Sequence, residues 1–88
     1  MKKNLKIKDF REDIDIIDNN LIKLLEERFK ISKKIGQLKI ENDKLILDKD
    51  REAEIILRLV TKSESLSKGN IKKIFKPIFK ISKNNQKE

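Results

Sequence analysis

Residues 24–39 read LLEERFKISKKIGQLK, and the fold turns on how Arg28 is understood within them. Taken at alternating steps of four and three, the chain presents Phe10, Ile14, Ile17, Leu21, Leu24, Arg28, Ile31, Ile35 and Leu38. Eight of these nine positions are apolar, which is the spacing of one stripe along an α-helix. Arg28 interrupts the stripe at its middle. A guanidinium set among apolar side chains needs a counter-charge or water, because burying it alone is costly. Three readings are open: an acid of the same chain such as Glu27 or Glu52 supplies the charge, the side chain snorkels to solvent, or a dianionic ligand binds there.

Working outward, a helix of about 30 residues, roughly 45 Å long, is predicted from Asp9 to about Ile40. Asp9-Phe10-Arg11-Glu12 has the D-x-x-E form of a capping box, no Pro intervenes, and the only Gly within that span, Gly36, suits a close helix crossing. Residues 1–8 are Lys-rich and expected to fray. The polar run Glu41-Asn42-Asp43-Lys44 breaks the helix, and Leu45-Ile46-Leu47 connects to a second one from about Asp48 to Lys62. Ile55, Ile56, Leu59 and Val60 form its inward face. Ser63 to Gly69 reads as a loop. Asn70 is the expected cap of a third helix to about Gln86, with Ile71, Ile74, Phe75, Ile78, Phe79 and Ser82 on one side. Pro77 falls inside that helix, at a cost of about 3 kcal/mol, and predicts a kink or a later start.

The fold class is therefore all-α, one long helix and two shorter ones in a single domain of 88 residues. Two helices of roughly 22 Å each are too short to cover a seam of about 45 Å. A second copy is expected to cover the rest, giving a homodimer in which the long helices pair.

Composition narrows the chemistry. The chain has no Cys and no His, so disulfides, thiolate or imidazole metal sites and triad catalysis are not expected. No apolar run approaches the length of a membrane span and no signal-peptide core follows the N-terminus, so a soluble cytoplasmic protein is expected. The formal net charge of +8 raises an anionic partner. Lys and Ile nonetheless predominate everywhere, and the lysines surround every face without a recognition-helix or aromatic pattern. No nucleic-acid or membrane partner is expected; a basic helical dimer on nucleic acid is the non-enzymatic alternative.

Against that lysine bias the arginines carry information. Only four of the 23 basic residues are Arg, at positions 11, 28, 51 and 58. Arginine presents a planar fork that matches a carboxylate with two parallel bonds, which lysine cannot do. On a helix Arg28, Ser32, Ile35 and Lys39 form one nearly straight row, the two cations about 16 Å apart at Cα. Asp48, Arg51, Glu52 and Ile55 share a face of the second helix, and Ser82 and Gln86 stand one turn apart on the third. Arg11 lies about 25 Å along the axis from Arg28 and on another face, so one chain cannot aim both at one small molecule.

The text REDIDIIDNNLIKLLEERFKISKKIGQLK, then DKDREAEIILRL, then IKKIFKPIFKISKNNQ resembles the AroQ-type, all-helical chorismate mutases. The likeness rests on Arg11, Ile14, Asp15, Asp18, Leu21, Leu24 and Arg28, on the Ile-Gly-x-x-Lys ending at Lys39, and on Asp48-x-x-Arg51-Glu52. The third segment matches less closely. The resemblance implies an intertwined homodimer that converts chorismate to prephenate without cofactor or metal. It implies that Arg28 and Arg11 of the partner subunit hold the two substrate carboxylates, and that Lys39 and Gln86 donate to the ether oxygen. Asp48 and Glu52 would engage the ring hydroxyl, with Arg51 and Ser82 completing the polar wall. Gln86 as an amide donor implies a flat rate between about pH 6 and about pH 8. An isochorismate-pyruvate lyase on the same fold is the nearest alternative.

Overall fold

The computed structural model describes residues 6–41 and 49–87, nearly all of them in three helices. These are α1 (Ile7–Glu41), α2 (Lys49–Lys62) and α3 (Lys68–Lys87), so the chain is all-α as expected. Among the described residues no helix is long and apolar enough to cross a membrane. The connector Leu45-Ile46-Leu47 and Asp48 lie outside the described residues.

The helix starts differ from expectation, and local hydrogen bonds explain why. α1 begins at Ile7, so residues 7 and 8 are helical. The Lys6 N–H donates to Asp9 Oδ2 at 2.9 Å, and the Asp9 N–H donates to the Lys6 carbonyl at 2.9 Å. Asp9 thus sits inside the first turn and reaches back, with its charge at the positive end of the helix dipole. It does not precede the helix as a forward cap.

α3 begins at Lys68, and its cap is Ser67, not Asn70. The Asn70 N–H donates to Ser67 Oγ at 3.1 Å, and the Ile71 N–H donates to the Ser67 carbonyl at 3.0 Å. The hydroxyl one residue before a helix is well placed to accept from its third N–H, which leaves Asn70 within the first turn. Between the helices, the Ser63 N–H closes on the Leu59 carbonyl at 2.9 Å and Ser63 Oγ accepts from the Leu66 N–H at 2.9 Å.

Pro77 does not delay α3, which starts early and is continuous through it. Proline deprives the Lys73 carbonyl of its helical donor, but Lys73 and Pro77 are both exposed, so water can take that carbonyl.

α3 packs against both α1 and α2. Ile55 and Ile56 of α2 and Ile71 and Phe79 of α3 are buried together, with Leu59, Val60 and Phe75 packed around them. The Phe75 and Phe79 rings lie 5.9 Å apart, tilted by 52°. Where α1 meets α3 the α1 side chains are small: Ser32 and Gly36, one turn apart, are buried. Ser32 Oγ donates to the Ser82 carbonyl at 3.1 Å, a side-chain-to-backbone bond that requires the two helices to lie close.

That contact uses a different face of α1 from the apolar stripe. All eight apolar stripe residues are exposed in the single chain, from 42% at Ile35 to 61% at Ile17 and Leu24. The radius of gyration is 17.4 Å, against about 12 Å for a compact domain of this length.

Candidate anion-binding cleft

The three helices bound a cleft of about 460 Å3. Its α1 wall carries Arg28, Ile31, Ser32 and Ile35; α2 contributes Arg51, Glu52 and Ile55. Phe79, Ser82 and Lys83 come from α3.

Arg28 is half-buried in this cleft because α3 passes over it. Its Nη1 donates to Ser82 Oγ at 2.9 Å, and its Cζ lies 5.8 Å from the centroid of the Phe79 ring. Ser82 is itself only 7% exposed, and Ser32 donates to its carbonyl. The hydroxyl is therefore a fixed acceptor at a fixed place.

No acid of the described chain neutralises this guanidinium. Glu52 is engaged by Lys83, Nζ to Oε2 at 2.9 Å, and Arg51 pairs with Glu54. Burial, followed by the charges of Arg51 and then Arg58, pushes the Arg28 pKa down. Several cations around one half-buried fork make a site that an organic anion would relieve.

Of the residues the sequence selects, Arg28, Arg51, Glu52 and Ser82 line the cleft together. Arg11 does not: it is exposed near the start of the unbroken α1, about 25 Å along the axis from Arg28. The backbones of Lys39 and Gln86 belong to α1 and α3, while their side chains lie outside the described residues, as does all of Asp48. Sequence reasoning missed Lys83 and Phe79 as cleft residues. Phe79 looked like core, which it also is; Lys83 is one lysine among many, marked only by its place beside Ser82.

Ile31 and Ile35 have a double membership. They line the cleft and belong to the exposed stripe, at 57% and 42% exposure. Whatever covers the stripe also walls the cleft.

Fold and cleft together define a class, a small all-helical domain with a groove between its helices that is lined by Arg28, Arg51 and Lys83. The family model described as chorismate mutase type II matches residues 10–87, and the chain belongs to that all-helical, AroQ-type family. It is 37% identical over 81 residues to the bifunctional chorismate mutase/prephenate dehydratase of Buchnera aphidicola subsp. Acyrthosiphon pisum (strain APS), a match covering 90% of this chain and 21% of that protein. The protein of the same description from Aquifex aeolicus (strain VF5) is 43% identical over 56 residues, 60% of this chain and 16% of its own length. A third, from Buchnera aphidicola subsp. Schizaphis graminum (strain Sg), is 33% identical over 81 residues, again 90% of this chain and 21% of the relative. The chain spans about a fifth of the length of the curated relatives that match most of it.

Proposed function

We propose that this domain is a chorismate mutase, which rearranges chorismate to prephenate by holding the dianion in the cleft beside Arg28. The observation that carries the reading is the half-buried Arg28 guanidinium, fixed by Ser82 and lacking a carboxylate among the described residues. Family membership supports chorismate as the substrate.

The reaction suits these residues. In a [3,3] rearrangement the ether C–O bond breaks as a C–C bond forms, with no proton transfer, nucleophile or cofactor. Catalysis then consists of holding the compact conformer and stabilising negative charge that grows on the ether oxygen. Arg28 grips one carboxylate and Arg11 of the partner subunit grips the other. Lys39 and Gln86 donate to the ether oxygen. Asp48 and Glu52 receive the ring hydroxyl, and Arg51 and Ser82 complete the wall.

The active form is an intertwined homodimer whose α1 helices pair along the exposed stripe. Two features support this: Ile31 and Ile35 belong to stripe and cleft alike, and Arg11 is too far along the same rod to reach its own chain's cleft.

The test is to supply chorismate and isochorismate separately and follow prephenate, or salicylate with pyruvate. Prephenate from chorismate supports the proposal. Turnover of isochorismate alone favours the lyase, and turnover of neither removes the enzymatic reading.

A further inference from the structure

Lys83 has no part in the mechanism above, although it forms an ion pair with Glu52, which does. The pair joins α3 to α2 at 2.9 Å, with the two side chains 31% and 26% exposed. Both residues line the main cleft. Both also line a second, smaller groove of about 350 Å3, together with Lys76 and Lys80. The pair, with Phe79, borders both.

Its position matters because of what else faces the main cleft. Arg28, Arg51 and Lys83 are cationic and Ser32 and Ser82 carry hydroxyls, whereas Glu52 is the one carboxylate among the described lining residues. A doubly negative ligand entering the cleft meets that carboxylate, and an uncompensated like charge a few ångströms away in a half-solvated groove weakens binding by about tenfold. As a prop for the fold, a pair this accessible to water contributes little.

Resting on the reading of the cleft as a dicarboxylate site, we propose that Lys83 is a positioning residue for Glu52. It cancels the charge that Glu52 would present to the substrate and holds the carboxylate against the wall. Glu52 can then accept a hydroxyl from the ligand without repelling the ligand's own carboxylates. Lys83 thereby determines the affinity of the cleft for dianions.

The experiment compares the unaltered chain with Lys83→Ala, Lys83→Arg and the double variant Lys83→Ala/Glu52→Gln. Each is titrated calorimetrically with a rigid bicyclic dicarboxylate that mimics the rearrangement's transition state, and each is assayed with chorismate. Lys83→Ala is expected to raise Kd and KM about tenfold, with kcat changed by less than about twofold and the melting temperature nearly unmoved. Lys83→Arg should recover most of the affinity. The double variant should bind the dicarboxylate more tightly than Lys83→Ala alone, because the repelling charge is gone. If alanine lowers the yield of folded protein, Lys83→Gln gives the same comparison.

Unchanged affinity in Lys83→Ala, or a double variant no better than the single one, overturns the proposal. Dicarboxylate binding in the expected order without turnover sustains it while removing the mutase reading. Failure of the unaltered chain to bind the dicarboxylate overturns both.

Discussion

Arg28 Nη1 donates to Ser82 Oγ at 2.9 Å, tying the cation in the middle of α1 to a buried hydroxyl on α3. A neutral hydroxyl orients the fork without discharging it, and a guanidinium has further donors to offer a ligand. Replacing Arg28 with Ala is expected to lower kcat/KM for chorismate by about a hundredfold or more, with helicity by circular dichroism unchanged. Arg28→Lys should recover little of the loss, because an ammonium cannot make two parallel bonds. Equal rates for Arg28→Ala and the unaltered chain would remove the central assignment.

Ser82 bonds to the Arg28 guanidinium through its hydroxyl, whereas Ser32 ties α1 to the α3 backbone. Ser82→Ala releases the Arg28 fork from its acceptor and is expected to reduce kcat/KM by roughly tenfold, with a small effect on stability. Ser32→Ala instead removes the bond to the Ser82 carbonyl in the α1–α3 contact. It should cost about 1 kcal/mol in urea unfolding. A reversal of these two patterns would show that Ser32, and not Ser82, orients the cation.

Protonation of Arg28 has a definite sign. Burial, then Arg51 and Arg58, lowers its pKa, so the folded state disfavours the charged form, and that penalty applies at every pH below the folded value. A guanidinium stays protonated through neutrality, so the penalty is constant between about pH 6 and about pH 8. The rate should accordingly be flat over that interval, and a steep loss in a kcat/KM profile would implicate another titrating group. Relieving the penalty outright, Arg28→Leu should bind no dicarboxylate yet raise the stability of the ligand-free protein by less than about 1 kcal/mol, because the side chain remains partly in water.

The exposed stripe predicts assembly. Ile17, Leu21 and Leu24 are all more than half exposed on one face of α1, and covering the stripe would contribute on the order of 10 kcal/mol. Sedimentation should find a dimer, and Leu21→Asp should shift it to monomer with loss of turnover. Subunit mixing tests the placement of Arg11. Arg11→Ala and Arg28→Ala chains, each inactive alone, should recover roughly one quarter of full activity when refolded together, since half the dimers are mixed and each of those holds one intact site. No recovery would place Arg11 elsewhere.

Three α-helices, their order and most of the buried faces of α2 and α3 were legible in the sequence, because apolar spacing reports a helix wherever packing is one-sided. Ile55, Ile56, Ile71 and Phe79 are buried as that spacing implies. Helix starts were less legible: whether Asp9 or Lys6, Asn70 or Ser67, borders the helix depends on which N–H a side chain reaches, and neighbouring polar residues compete for it. Arg28 stood out in one dimension as a cation in an apolar row. That its partner is the Ser82 hydroxyl and the Phe79 ring, and not Glu27 or Glu52, depends on where α3 crosses α1. Lys83 had no sequence signal beyond its place beside Ser82, since a lysine in a lysine-rich chain acquires meaning only when a second helix places Glu52 against it. Periodicity is a property of one helix and survives in one dimension. Counter-charges and clefts are made between helices, and only their packing decides them.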